Sequence, residues 1–448
     1  MRPSPPATRL SPAVRRLIAA SATSATGSGL VMPLTLIYLH QVRGIPLGTT
    51  GLLLAVPGVV GLIAVPAAGT LMDLVGARQV IAVALLCTAI SQAALAFTSS
   101  AGWAAPVLLV SGIGSSPTFA AFSTLLASIS AGAEQQRGFA MNFTVLNAGV
   151  GLGALLSGMV VNVHHPMTFQ VMFLANAAVT LVAVALVRTV PAPASGGGSK
   201  AGPTGDEGSA GEEGPAGDAG PAGDAGPAGE ARRRPAGYRQ VVADPMLRQM
   251  MVLALLLAIV GYGALDSGMP AYASVVAGVS ARVIALSLSV NTVAIVGVQL
   301  LMLRVLRGRR RTTALGALGL VWCAAWLLFG ASALPSAHGA RVAMVLAFNA
   351  IFGVGETLMA PSLTPLLNTL APDEVRGRAN AMTSGMYSVT FVVMPPIVTG
   401  FVAAGLGGLW IVLEAVGCFG VTAWVLRLRR GLTLEQDVGD AAPGAEPA

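Results

Sequence analysis

Polar residues interrupt this sequence rarely, and mostly in bunches. Between the bunches lie twelve apolar runs, at 14–39, 48–72, 79–98, 103–129, 138–162, 169–189, 247–271, 282–306, 312–333, 341–368, 378–403 and 408–427. Each is close to the roughly 20 residues that a helix needs to cross the hydrocarbon of a bilayer. The period-two alternation of membrane barrel strands is missing from them. At that depth backbone polar groups must be satisfied within their own segment, so the pattern predicts twelve transmembrane α-helices. The first run follows the basic stretch "MRPSPPATRLSPAVRRL" and continues to about Leu39. That is too long for the apolar core of a cleaved leader, and it reads as an uncleaved first span.

Charge orients the spans. With the N-terminus placed in the cytoplasm, all of the 26 basic residues except Arg43, Arg282 and Arg341 fall on the cytoplasmic side. The excess of basic loops predicts that both termini are cytoplasmic. The chain divides into a tail (1–13), a six-helix bundle (14–189), a linker (190–246), a second six-helix bundle (247–428) and a C-terminal tail (429–448). Within the linker, glycine recurs at every third position from Gly202 to Gly229, which is the collagen period. The same stretch carries acids throughout, and its Gly, Pro and Ala cannot bury a core, so it reads as a flexible, disordered tether. The basic segment "ARRRPAGYRQVVADPMLRQM" that follows is expected to rest on the inner leaflet.

The halves echo each other. "AEQQRGFAMN" places Glu134 three residues before Arg137 and Gly138, and "PDEVRGRANA" places Asp373 three residues before Arg376 and Gly377. "LMDLVGARQ" after the second span corresponds to "LRVLRGRRR" after the eighth. Two sets of six spans with matched loops imply a duplicated, pseudo-symmetric transporter architecture with a site near the midplane.

Composition narrows the alternatives. With 54% hydrophobic and only 10% charged residues, a soluble fold is excluded. The net charge of +7 belongs to the cytoplasmic loops and calls for no nucleic acid. Lys200 is the single lysine beside 25 arginines, a skew that accompanies GC-rich coding and suggests a bacterial plasma membrane. Cys87, Cys323 and Cys418 lie apart in apolar runs and form neither a metal motif nor a disulfide framework. Four scattered histidines make no cluster of the kind a membrane enzyme needs. The glycines from Gly149 to Gly153 lie within an apolar span with no strand before them, so they are no nucleotide loop. No cofactor or metal is called for.

The stretch "GTLMDLVGAR" supplies Gly69, Leu71, Asp73, Gly76 and Arg78. It resembles the G-x-L-x-D-x-x-G-x-R/K loop of the major facilitator superfamily, and the resemblance extends over nearly the whole chain. It implies the twelve-helix fold of that family and a loop that locks one of two alternating states. Physically, Gly76 permits a tight turn, Gly69 close helix packing, and Asp73 an approach to a neighbouring helix N-terminus. "GETLMAPSLTPLLNTLAPDEVRGRANA" is similar to the drug-efflux branch. Two departures bear on proton antiport and on direction. Span 4, "PVLLVSGIGSSPTFAAF", lacks the arginine usual in efflux members. In span 5, "GVGLGALLSG" keeps Gly149, Gly153 and Gly158 but has Ala154 where proline stands. The three glycines read as helix-packing positions.

Three acids lie well inside spans, where a charge is costly: Asp266, Glu356 and Glu414. The resemblance implies that spans 1, 4, 7 and 10 line a central cavity, which places Asp266 and Glu356 on it. Glu356 shares a helical face with Asn349 and Phe352. It reads either as a proton-coupling or cargo residue or as a neutral acid hydrogen-bonded between helices. Asp266, one turn after Tyr262 and toward the outer end of its span, reads as a gate residue or as a bland surface acid. Glu414 reads as a snorkelling or interhelical group, and His164 and His165 as solvated loop residues. The expectation is a monomeric secondary transporter that moves a small, amphipathic or cationic molecule outward against protons. An importer or uniporter of a neutral metabolite is the alternative, ahead of a membrane enzyme or a transport-inactive sensor.

Overall fold

Twelve helices long and apolar enough to cross a membrane build the computed structural model, which describes residues 10–191 and 238–438. The glycine-repeat tract, the start of the basic segment after it and the ends of both tails lie outside the described residues. In chain order the spans are α1 (Pro12–Val42), α2 (Leu47–Val75), α3 (Ala77–Ala96), α4 (Ala101–Ile129), α5 (Gly132–Val160) and α6 (Pro166–Arg188). The second half comprises α7 (Pro245–Val275), α8 (Ala281–Leu306), α9 (Arg311–Ala331), α10 (His338–Leu370), α11 (Glu374–Ala403) and α12 (Gly407–Arg429). No strand occurs among the described residues, so the all-α expectation holds.

Local chemistry sets several helix starts. The Ser11 hydroxyl accepts from Val14 N–H, and Asp244 accepts from the N–H groups of Met246 and Leu247 at 2.7 and 2.9 Å, satisfying donors that a first turn leaves orphaned. Gly76, with φ 87°, reverses the chain between α2 and α3, a conformation open chiefly to glycine.

The duplication read from the loops is present in the packing. In the first half α1 lies on α5 and α6, α2 on α4, and α3 on α4 and α6. In the second half α7 lies on α11 and α12, α8 on α10, and α9 on α10 and α12. The halves meet along α2–α11 and α5–α8. Both leading helices are irregular. A π-turn over Tyr38–Val42 ends α1, and a ten-residue π-helix, Ile259–Gly268, interrupts α7.

The halves are filled differently. Small residues let α1 and α5 touch backbone to backbone: a side chain on Gly149 would strike the Ala22 carbonyl, and one on Gly153 the backbone of Gly29. The second half is packed with rings. Trp322 stacks on Phe352 at 4.6 Å, Trp326 meets Trp410 at 5.3 Å, and Phe329 lies on Phe348 at 4.5 Å. Each of these indoles finds an acceptor, as buried Trp requires: Phe352 O, Val260 O and Glu414 Oε1.

Candidate functional site

The contacts between the halves are concentrated at the end of the molecule away from the termini. Leu36, Leu47, Ala271 and Val402 form a buried apolar cluster there. Gly51 and Gly58 of α2 lie directly against Thr399 and Val392 of α11, while Gly151 and Gly158 of α5 lie against Thr292 and Leu286 of α8. The Ser289 hydroxyl donates to the Gly151 carbonyl at 3.0 Å. Toward the terminus-bearing end, Gly69, Gly297 and Gly385 on three of the same four helices face open space. Small residues on these helices thus permit close approach between the halves at the far end, while Gly69, Gly297 and Gly385 have room nearer the termini.

Between the halves is a cavity of about 630 Å³. Its wall includes Ser28 and Thr35 of α1, Gly61 of α2, Gln92 of α3, Ser111 and Ser115 of α4, Asn176 of α6, Asp266 of α7 and Ser388 of α11. No basic side chain is among the lining residues. Asp266 is half-buried and makes no hydrogen bond or ion pair with the described residues. The Oε1 atom of Gln92 is buried without a partner. Two acceptors therefore stand unsatisfied in one concave, mostly apolar chamber, the arrangement expected of a ligand pocket.

Asp266 is thus a cavity residue rather than a surface acid at the outer end of its span. The π-helix that carries it also carries Tyr262, and insertions of this kind often occur at functional sites. Tyr262 lies against Tyr387 of α11, with ring centroids 5.9 Å apart, and its hydroxyl neighbours the Glu356 carboxyl.

Glu356 is held from α8. Asn291 Nδ2 donates to Glu356 Oε2 at 2.8 Å and to the Asn349 carbonyl at 3.3 Å. Asn291 adjoins Thr292, which packs on Gly151 of the other half. A path of direct contacts therefore joins the Glu356 carboxyl to the interface between the halves.

Several expected placements are corrected. Phe352 shares the sequence face of Glu356 but is fully buried on Trp322, because the α9 indoles fill that side of α10. Asn349 is likewise buried and donates to Val345 O at 3.3 Å. Glu414 neither snorkels nor bridges helices. It is 4% exposed and accepts from Trp410, one turn earlier on its own helix, at 2.8 Å. Asp73 is exposed and makes no hydrogen bond or ion pair with the described residues, and a side chain on Gly69 would touch nothing, so the loop makes no closing contact here. Arg78 donates to Val190 O at 2.9 Å and Leu71 is exposed. Gly158, expected as a helix-packing position, packs on Leu286 of α8 in the opposite half.

The matched loops hold their halves in different ways. Glu134 Oε1 accepts from Ser11 N–H at 2.7 Å, tying α5 to the start of α1, and Arg376 Nε donates to Asn368 O at 3.1 Å. Gly138 is buried near Leu126, and Gly377 has open space. Gln92, Asn176 and Asn291 were not among the expected site residues, which were acids in the spans and their helical neighbours. Their signal was an amide side chain within an apolar run.

A family model, that of the Major Facilitator Superfamily, matches residues 17–347. Among curated proteins no significant sequence match is found. Solved structures resemble the whole fold at low identity. A D-xylose-proton symporter aligns with a TM-score of 0.67 and 15% identity, covering 96% of this chain and 99% of its own. A bacterial homolog of the human lysosomal transporter Spinster, inward-facing and unoccupied, gives 0.66 and 14%, covering 97% and 98%. The nucleoside transporter NupG gives 0.65 and 11%, covering 92% and 99%.

Proposed function

The chain belongs to the Major Facilitator Superfamily and is a multi-pass membrane transporter rather than an enzyme; on that premise we propose that it exports a small amphipathic cation in exchange for protons. The observation that carries this reading is the Asp266 carboxyl, which among the described residues has no partner and shares its cavity with no basic side chain. An isolated carboxylate at that depth is costly. A cationic cargo seated beside it removes the cost. Gln92 Oε1, buried and unpartnered, adds an acceptor for an N–H donor on the cargo.

The basic-loop bias supports placing the termini in the cytoplasm, which makes this state inward-open. Closing it requires the terminus-bearing ends of α2, α5, α8 and α11 to approach, and Gly69, Gly297 and Gly385 have room for that. Glu356 is the proton site in this reading. As a carboxylate it accepts strongly from Asn291 Nδ2; once protonated it is a weaker acceptor. Asn291 sits beside the α8–α5 contact at Thr292 and Gly151, so the proton state of Glu356 biases how the halves meet. Efflux is favoured by the softer similarity of the Gly355–Ala381 stretch to the drug-efflux branch.

Import of a neutral metabolite is the second reading. It draws on the hydroxyl and amide groups of Ser28, Ser111, Ser115 and Asn176 in the same wall. Flux in proteoliposomes under an imposed pH difference, with lipophilic cations and with neutral sugars and nucleosides as probes, separates the two. Uptake of neutral probes alone contradicts the cation-efflux reading.

A further inference from the structure

At the terminus-bearing end the chain turns from α8 into α9 through Arg307–Arg310, with Gly308 at φ 70°. A cavity of about 230 Å³ opens at this turn. Arg307, Arg309, Arg310 and Arg311 line it together with Ser362, from the break in α10, and Val438, from the short helix Leu434–Val438. Three separate segments thus enclose a cluster of guanidinium groups.

The arginines are not equivalent. Arg311 is engaged with the Thr369 hydroxyl at 2.8 Å and the Pro365 carbonyl at 3.4 Å. Among the described residues, the side chains of Arg307, Arg309 and Arg310 make no hydrogen bond or ion pair. The buried acid next to the cavity is engaged with Thr312 and makes no bond to them. Asp437 uses Oδ1 to accept from Thr312 N–H at 2.8 Å and Oδ2 to accept from Thr312 Oγ1 at 2.6 Å. Glu435, on the same short helix, is exposed. Topology alone explains why arginines collect in a cytoplasmic loop. It does not explain why three of them, Arg307 and Arg309 exposed and Arg310 half-buried, border one concavity with no side-chain partner among the described residues. The side of the cavity toward the spans is apolar, formed by Leu303, Leu306 and Ala314.

The geometry points to a binding site for a phosphoryl anion, supplied by the headgroup of an anionic phospholipid or by free phosphate. Guanidinium forks match phosphate oxygens in pairs, and basic pockets between transmembrane helices at the membrane surface suit anionic headgroups. The apolar flank places the first acyl carbons against Leu303 and Leu306, which favours the lipid. The helix that carries Val438 is pinned by the Asp437–Thr312 bonds, so it supplies a fixed wall. This site is separate from the central cavity and does not depend on what that cavity carries.

Native mass spectrometry of the full chain, with dioleoyl phosphatidylglycerol or dioleoyl phosphatidylcholine added, tests the lipid source. Thermal unfolding with and without inorganic phosphate tests the free anion. The variants are R307Q/R309Q/R310Q and, keeping every arginine, Val438→Glu; R427Q/R429Q/R430Q is the control on another basic cluster. Retained phosphatidylglycerol is expected to exceed phosphatidylcholine by about tenfold in the wild type and the control, and to fall to parity in both test variants. A phosphate-induced rise in Tm that the test variants lose, without lipid preference, assigns the site to the free anion. The proposal is overturned if the test variants, folded by circular dichroism, keep the wild-type lipid preference and phosphate response. It is equally overturned if the wild type shows neither.

Discussion

The side-chain amide of Asn291 on α8 donates a 2.8 Å hydrogen bond to the carboxyl of Glu356 on α10. The next residue, Thr292, packs on Gly151 of the opposite half. The acid is thus one side chain away from the surface across which the halves move. Glu356→Gln can still accept from Asn291 and is expected to fold normally. It should lose accumulation driven by a pH difference while retaining cargo exchange at equal pH, with driven flux down about tenfold or more. Flux assays in proteoliposomes under both conditions check this. Full retention of driven flux would make Glu356 structural.

Asn291→Leu leaves the Glu356 carboxyl without its α8 donor. Loss of such a bond at a buried group costs about 1–3 kcal/mol, read as a lower Tm in detergent. The substitution should also uncouple flux from pH, since the contact between carboxyl and interface is gone.

Gly151→Val places a branched side chain where Thr292 already stands, since even a Cβ there would lie 2.6 Å from the Thr292 methyl. The α5–α8 approach at the far end cannot form in its present geometry. Transport is expected to fall about tenfold or more, because each turnover passes through this state. Probe binding to detergent-solubilised protein should persist. Parallel measurement of binding and initial rate distinguishes this from misfolding, which removes both.

Asp73 is exposed and makes no hydrogen bond or ion pair with the described residues. Asp73→Asn should therefore shift stability by no more than about 0.5 kcal/mol yet slow turnover, if the loop acts in the opposite state. Equal loss of binding and turnover would remove the loop from the conformational cycle.

The fold was legible because the bilayer imposes one rule on every span: satisfy the backbone internally and bury few charges. Twelve runs, the basic-loop bias and the paired loop motifs carried that rule directly. The site was legible only in part. Asp266 and Glu356 stood out as acids in apolar runs, but helical spacing put Phe352 beside Glu356 when the α9 indoles claim it for the core. The π-helix of α7 was the other obstacle. The glycines and Pro270 signalled a bendable stretch, but not the wider turn that carries Asp266 at the cavity wall. Which amides face the cavity depends on packing between the halves, and that is invisible in a single run of sequence.

The most direct measurement is thermal unfolding of the purified protein and of Asp266→Asn with a panel of lipophilic cations, each paired with a neutral isostere. If Asp266 receives the cargo, cations should stabilise the wild type and their isosteres should not, and Asp266→Asn should abolish the difference while leaving the unliganded Tm unchanged or raised. Apparent affinity should fall about tenfold or more, as expected when a charge-assisted contact is removed in a low-dielectric chamber. Equal stabilisation of both proteins by the same cations, or stabilisation by the neutral members alone, would contradict the assignment of this cavity to a cationic cargo.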